Sequence, residues 1–201
     1  FIIEPDKKIL GVRCESGKYL SGLNARHGLG IEITEEIVQR ARLLNPNLRF
    51  ERLDAEVEEL DGTFDYILVE NVQDMTDPLI ALKNMKCNCE PHTRIVICSY
   101  NHLWKPIFDL AESFGIKMPR LEPNWLSEND LSGLLHLAGY EKLKTLNSVL
   151  LPKKIPIISW FANRVLAPLP FFNLFCLVRV IIARPVLLRD ICKPATVSVI
   201  I

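Results

Sequence analysis

The chain has 201 residues, 49% of them hydrophobic and 24% charged, enough for one sizeable core and a small appendage. Residues 1–150 carry 17 basic and 23 acidic side chains, a net charge of −6. Residues 151–201 carry seven basic side chains and one acidic, a net charge of +6. The acidic part argues against a nucleic-acid partner. The basic, apolar remainder is typical of a segment that contacts an anionic surface or another domain.

The six cysteines do not have the pattern of a metal site. Cys87 and Cys89 are one residue apart, which is not zinc-ligand spacing, and no His/Cys pair follows them. Cys98 and Cys176 lie inside apolar runs, and we expect no signal peptide before them. The sequence therefore predicts reduced thiols in a cytoplasmic protein, with no metal bound.

Short apolar runs alternate with helical segments through the chain. Strands are predicted at 8–12, 29–33, 48–53, 64–69, 94–100, 141–151 and 177–183, helices at 19–26, 35–44, 78–85, 104–114 and 128–138, and a turn at 90–93. Thr34 and Ser127 are the predicted helix N-caps. This alternation indicates an α/β protein with a mostly parallel sheet covered on both faces. Ligands of such sheets bind at the carboxyl ends of the strands, which here places the site in loops 13–17, 32–34, 54–56 and 70–76.

Residues 155–178 form an apolar segment of a different kind. The longest run without a charge, 165–178, has 14 residues, whereas a membrane-spanning helix needs about 20. We therefore expect a hydrophobic cap, or a surface that makes peripheral contact with a membrane or a partner, rather than a transmembrane helix.

Three residues at the ends of successive strands suggest a nucleotide site. Gly17 follows the first strand, where a glycine lets the backbone approach a ligand, although a single glycine is also common in ordinary turns. Glu32 ends the second strand, where an acid can accept hydrogen bonds from ribose hydroxyls or can simply be solvated. Asp54 ends the third strand, where it can accept from an adenine amino group or be one more loop acid. Their coincidence is stronger evidence than any one of them.

These pieces resemble the class I S-adenosylmethionine (SAM) methyltransferases of the bacterial type. The matching segments are KILGVRCESGKYL, GLGIEI, NLRFERLDAEVEEL, FDYILVENVQDMTDPLIAL, CEPHTRIVICSYNHLW and NWLSENDLSGLLHLAGYE. The resemblance implies a Rossmann-like, seven-stranded, mostly parallel sheet over residues 1–185. Its last two strands, 141–151 and 177–183, would be antiparallel, with an apolar insert at about 152–176 between them.

The resemblance also implies a cofactor, a reaction and a set of contacts. The cofactor is SAM, and its methyl group goes to a small-molecule, sugar or lipid-linked acceptor. The cofactor-binding residues carried over are Cys14, Glu15, Gly17, Glu32, Ile33, Asp54, Ala55 and Asn71. The base is optional in this family, and the catalytic candidates are Asp74 and His102, in loops at the same edge of the sheet.

The first loop departs from the family pattern. The family usually has an acid where Gly11 stands and glycines where Arg13 and Glu15 stand. Arg13 is expected to place a long cation where the backbone should meet the methionine part of SAM. The alternative is therefore an inactive methyltransferase-like domain. A nicotinamide-dependent dehydrogenase shares the alternation, but the chain lacks Gly-x-Gly-x-x-Gly, and the antiparallel end of the sheet counts against it.

The tail carries a second resemblance. Residues 193–201, KPATVSVII, are similar to the opening strand of a family-2 glycosyltransferase, although a plain β-strand explains them nearly as well. Residues 186–201 would then be a linker and the first strand of a fused glycosyltransferase domain. In the inactive-domain alternative, the methyltransferase-like part positions that enzyme.

Overall fold

The computed structural model describes residues 3, 6–23, 27–115, 124–149, 161–167 and 169–186. They form one seven-stranded sheet in the order β3-β2-β1-β4-β5-β7-β6. The strands are β1 (Lys8–Val12), β2 (His27–Glu32), β3 (Arg49–Arg52), β4 (Phe64–Val69), β5 (Cys89–Tyr100), β6 (Tyr140–Ser148) and β7 (Val178–Pro185). Strands β1 to β5 pair in parallel, whereas β7 is antiparallel to both β5 and β6. The predicted sheet and its antiparallel end are confirmed.

Helices cover the two faces of this sheet. They are α1 (Lys18–Gly22), α2 (Glu35–Leu44), α3 (Pro78–Met85), α4 (Lys105–Ser113), α5 (Glu128–Leu137) and α6 (Pro170–Asn173). Alternate residues of the central strands enter two separate cores, because successive strand side chains point to opposite faces. Leu10 and Ile67 belong to the core that packs against α3 and α5, and Ile9 and Leu68 to the one that packs against α1 and α2.

One of the two predicted helix caps is confirmed. Ser127 Oγ accepts from Asp130 N at 3.2 Å, and the Asp130 carboxylate accepts from Ser127 N at 2.8 Å, which is a complete capping box. Thr34 stands at the N-cap of α2, but its side chain makes no capping hydrogen bond. Glu35 and Glu36 lie in the first turn instead, where their charges favour the positive end of the helix dipole.

The predicted turn at 90–93 is wrong, because β5 begins at Cys89 and runs through it. Thr93 Oγ1 donates to Phe64 O at 2.6 Å and accepts from Glu90 N at 2.8 Å. The register of β4 against β5 shifts between Phe64 and Tyr66. A bulge therefore absorbs the turn-forming residues without interrupting the strand.

Several predictions fall partly on residues outside the described ranges. The helix predicted at 19–26 is seen as Lys18–Gly22, and residues 24–26 are not described. The glycosyltransferase-like strand at 193–201 and residues 152–160 of the insert also lie outside. The described part of the insert contains a π-helical turn, Ala162–Leu166, followed by α6. Within the described ranges, no helix combines the length and apolarity needed to cross a bilayer.

Candidate functional site

Loops that follow β1, β2, β3 and β4 meet at the carboxyl edge of the sheet. The ladders between parallel strands continue just past the strand ends: Arg13 N donates to Ile31 O at 3.1 Å, and Glu70 N donates to Val12 O at 3.0 Å. Leu53 N likewise donates to the carbonyl oxygen of Glu32 at 2.9 Å. These bonds hold the start of each loop beside the next, as the sequence predicted.

The loop after β1 keeps left-handed backbone conformations where the side chains disfavour them. The φ angles are 56° at Arg13, 47° at Glu15 and 70° at Gly17. A residue with a Cβ pays roughly 1–2 kcal/mol for this region, and such strain persists where surrounding structure enforces it. The loop therefore keeps a backbone shape suited to glycine at 13 and 15 without glycine at either position.

Gly17 is required by packing as well as by its backbone angle. A Cβ at this position would lie 2.5 Å from Cζ of Phe50, which is buried in the core beneath the loop. Asn45 Nδ2 donates to Ser16 O at 2.7 Å and ties the same loop to the end of α2. Gly17 thus has a structural reason for its identity, whether or not a ligand lies above it.

Glu32 joins the end of β2 to this loop. Its side chain is buried, and its Oε1 accepts a hydrogen bond from the backbone N–H of Glu15. Burial raises the pKa of Glu32, while the bond from Glu15 and the charge of Arg13 act in the opposite direction. Asn71, itself at a φ of 50°, donates from Nδ2 to Glu15 Oε1 at 3.1 Å. The structure therefore brings together Glu15, Glu32 and Asn71, three of the predicted cofactor residues.

Glu70, which begins the predicted site loop 70–76 but is not among the predicted cofactor contacts, lies in the same place. Only 6% of it is exposed, and its Oε1 is buried without a hydrogen-bond partner. Burial raises its pKa to about 8, and the charges of Glu15 and Glu32 act in the same direction. An acid that directly follows the apolar strand Phe64–Val69 was the available signal.

The Arg13 side chain was expected to lie where the methionine part of SAM binds, and the structure instead pairs it with Glu56. Its Nη2 lies 3.0 Å from Glu56 Oε1, and both side chains are largely buried. Glu56 also accepts from the backbone N–H groups of Thr76 and Asp77, at 3.2 and 2.7 Å. The cation is thus tied to the loops after β3 and β4, where its charge is balanced.

The residues predicted to contact adenine are arranged less specifically. Asp54 Oδ1 accepts from Glu56 N at 3.0 Å, which is a local turn contact and favours the structural explanation of this acid. Ala55 is buried, and Ile33 is exposed beside the end of β2. Neither position conflicts with an adjacent nucleobase.

Three predicted residues remain, namely Asp74, His102 and Cys14. Asp74 is joined to the cluster through its backbone, because its N–H donates to Asn71 O at 2.9 Å. Asp74 and His102 are exposed, in 3-10 turns that follow β4 and β5. The Cys14 thiol is buried and its pKa is raised, first by burial and then by Glu32, so its side chain belongs to the core. In the described part of the chain, no group of three or more His, Cys, Asp or Glu side chains could hold a metal ion.

Comparison with known proteins gives a result for the fold alone. No protein-family model matches the chain, and no curated protein matches it either. Solved structures do. A Haloferax volcanii protein in complex with the Trm112 methyltransferase activator has a TM-score of 0.69 at 16% identity, over 91% of this chain and 84% of its own. A Methanosarcina mazei SAM-dependent methyltransferase has a TM-score of 0.66 at 17% identity, over 92% and 95%.

A third similar structure carries a ligand. The Synechocystis magnesium protoporphyrin IX methyltransferase, with bound S-adenosylhomocysteine (SAH), has a TM-score of 0.59 at 15% identity, over 90% of this chain and 75% of its own. Identities this low establish architecture rather than activity. The chain has the Rossmann-like fold of the class I SAM-dependent methyltransferases.

Proposed function

We propose that the chain binds SAM at the carboxyl edge of β1 to β4 and transfers the methyl group to a small-molecule, sugar or lipid-linked acceptor. The observation that carries this proposal is the loop after β1. Its backbone holds left-handed angles at Arg13, Glu15 and Gly17, and its Glu15 N–H is bonded to the buried Glu32 carboxylate. A strained loop held against a buried acid favours a ligand-binding role over an ordinary turn.

Each predicted residue has a place in this proposal. Glu32 accepts from the ribose hydroxyls, with Ile33 beside the adenine ring and Asp54 and Ala55 at its polar edge. The loop that contains Cys14, Glu15 and Gly17 holds the methionine part. Asn71 supports the proposal because it joins this loop to the one after β4 through its bond to Glu15.

The transfer itself needs little chemistry from the protein. The methyl group leaves the sulfonium for a nucleophilic atom of the acceptor, which gives up its proton. Alignment of nucleophile and methyl group accounts for most of the rate enhancement in such a displacement. Asp74 and His102 remain the candidate bases, and their exposure on loops after β4 and β5 supports access to an acceptor.

The acceptor side is supported by further unpaired polar groups. Gln73 Oε1, Ser99 Oγ and Arg179 Nη1 are buried without hydrogen-bond partners. Ser99 and Arg179 face each other in the register of β5 with β7, at the same edge of the sheet as the loops. Buried donors and acceptors of this kind favour a polar acceptor such as a sugar over a purely apolar one.

A lipid-linked acceptor is supported by an exposed apolar surface, which we call the insert surface. It comprises Phe161, Val165, Leu169, Phe171, Leu174 and Phe175, each more than two-fifths exposed. We expect the chain to sediment with phosphatidylcholine vesicles that contain phosphatidylserine, and the double variant Phe171→Ser/Leu174→Ser to lose most of that binding. Vesicle binding that survives the double variant would contradict this part of the proposal.

Calorimetric titration of the chain with SAM tests the cofactor proposal. We expect saturable binding, weakened about tenfold or more by Glu32→Gln, because the amide has one acceptor oxygen where the carboxylate has two. Glu36→Gln is the matched control, since Glu36 is an exposed acid in the first turn of the next helix. Absence of heat at millimolar SAM, or equal losses in both variants, would contradict the proposal.

The second candidate is an inactive domain that positions a fused glycosyltransferase. The ion pair between Arg13 and Glu56 favours it, because it crosses between the loops after β1 and β3 at the edge where the nucleoside would lie. Replacement of Arg13 and Glu15 by glycine separates the candidates. Under the second candidate, only the glycine variant binds SAM.

A further inference from the structure

The carboxyl group of Glu70 is buried and lacks a partner for one oxygen. The backbone N–H of Glu70 donates to Val12 O at 3.0 Å, so the residue is fixed beside the start of the loop after β1. Only 6% of the residue is exposed, and its side-chain oxygen Oε1 accepts no hydrogen bond. A buried carboxylate without a partner is unfavourable and must be either protonated or paired with a donor.

Among the described residues, the charges that act most strongly on Glu70 are negative. Glu15 comes from the loop after β1 and Glu32 from the end of β2, and both charges disfavour ionisation of Glu70. The thiols of Cys14 and Cys98 and the phenol of Tyr19 lie in its field, on the loop, β5 and α1. The nearest cation of this loop, Arg13, is paired with Glu56 at 3.0 Å. Glu70 thus lies in a locally acidic, partly closed environment.

This environment selects the charge of a ligand. A ligand whose only charged group is a phosphate or a carboxylate would be repelled by the charges of Glu15 and Glu32. A metal ion is disfavoured, because no set of three or more His, Cys, Asp or Glu side chains among the described residues is arranged to hold one. A compact organic cation with N–H donors satisfies both the unpaired oxygen and the excess negative charge. SAM contains one such group, the primary ammonium of its amino-acid end.

We infer that the Glu70 carboxylate, in the field of Glu15 and Glu32, binds the primary ammonium group of the amino-acid part of the cofactor. This inference rests on the proposed function. It specifies how the site holds the amino-acid end of the ligand although the loop after β1 lacks glycines at positions 13 and 15: the Glu70 carboxylate, at the end of β4, pairs with the ammonium group. Near neutral pH, the proton on Glu70 leaves for solvent when the ammonium binds.

Two probes separate the amino-acid end from the nucleoside. SAH contains the ammonium group, whereas 5′-methylthioadenosine keeps the adenosine and the thioether but lacks the amino-acid part. Both are titrated calorimetrically into the wild-type chain, Glu70→Gln and the exposed-acid control Glu36→Gln. We expect Glu70→Gln to weaken SAH about tenfold or more and to change 5′-methylthioadenosine less than about twofold. Glu36→Gln is expected to leave both affinities unchanged.

The outcomes distinguish the two levels of the proposal. Equal loss of both ligands in Glu70→Gln, with a cooperative unfolding transition retained, would show a general structural role and overturn the inference alone. Unchanged SAH binding in that variant would also overturn it and leave the proposed function intact. Binding of neither probe to the wild-type chain would overturn the proposed function and, with it, the inference.

Discussion

Two neighbouring parts of the sheet edge differ in how well their polar groups are satisfied. Around Glu56, the acid accepts from Arg13, Thr76 and Asp77, and Asp54 completes a local turn. Around Glu70, at the end of β4, a buried oxygen has no partner and the strongest electrostatic neighbours are acids. The polar groups around Glu56 therefore have partners within the protein, whereas the Glu70 carboxyl group has one oxygen without a partner.

The difference shows which part of the edge offers a ligand the more favourable binding free energy. A ligand that reaches the Glu56 side must compete with existing hydrogen bonds and an ion pair. A cation that reaches the Glu70 side meets an unpaired oxygen, flanked by loop residues in left-handed conformations. Strain and unsatisfied polar groups concentrate at functional sites, and both occur here within one loop and the adjoining strand end.

The largest expected effect is on the pH dependence of stability. The pKa of Glu70 is raised from 4.5 to about 8, so the native state holds its proton while the unfolded state releases it. Stability from this group is full below about pH 4.5 and is lost as pH rises to about 8, by up to about 5 kcal/mol. The free energy of unfolding of Glu70→Gln, measured in urea, should therefore rise relative to that of the wild type between about pH 5 and about pH 9. An equal difference at both pH values would contradict the assignment.

A second prediction concerns the packing that holds the loop. Gly17→Ala should destabilise the chain by about 3 kcal/mol, because the new Cβ meets the Phe50 ring and the φ angle is left-handed. Gly62→Ala is the matched control, since Gly62 has a φ of +94° but no atom near its Cβ position. It should lose only about 1 kcal/mol. Similar unfolding midpoints for the two variants would mean that Phe50 moves away freely.

Arg13→Gly tests the part of the sheet edge around Glu56, where the polar groups have partners. The variant relieves a left-handed angle but leaves the largely buried Glu56 without its cation. Because Glu56 keeps its two backbone donors, we expect a loss of about 2 kcal/mol of stability. If the ion pair crosses the nucleoside position, SAM affinity should rise about tenfold, as measured by calorimetry. A lower affinity would show that Arg13 contacts the ligand directly.

The smallest expected effect is at Asp54. Asp54→Asn keeps an oxygen to accept from Glu56 N and removes only the charge. We expect SAM affinity to fall by about threefold and the unfolding midpoint to stay the same. A loss as large as that of Glu32→Gln would give Asp54 a role equal to the ribose-binding acid.

The sequence predicted most of the fold because local patterns determine most of it. Lys8–Val12, Phe64–Val69 and Pro78–Met85 were each predicted with the bounds that the structure gives. Residues 90–93 were missed because their turn preference is local, whereas their strand pairing depends on Phe64, 29 residues before Thr93. Tertiary contacts of this kind override propensity.

The site was less predictable for a related reason. Glu32, chosen at a strand end, and Asn71, carried over from the family resemblance, both hydrogen-bond to Glu15 of the loop. The course of Arg13 depends on Glu56, 43 residues away, and the glycine-like angles at 13 and 15 depend on the surrounding ladder. The burial of Glu70 depends on tertiary packing, which no local pattern of charge reveals.

Proton release on ligand binding tests the central claim most directly. SAH is titrated into the chain at about pH 7 in two buffers of different ionisation enthalpy, and the difference in heat gives the protons exchanged. With a free-state pKa of about 8 at Glu70, we predict release of close to one proton by the wild-type chain and none by Glu70→Gln. Binding of SAH with no proton release, or with the same release in both proteins, would contradict the account.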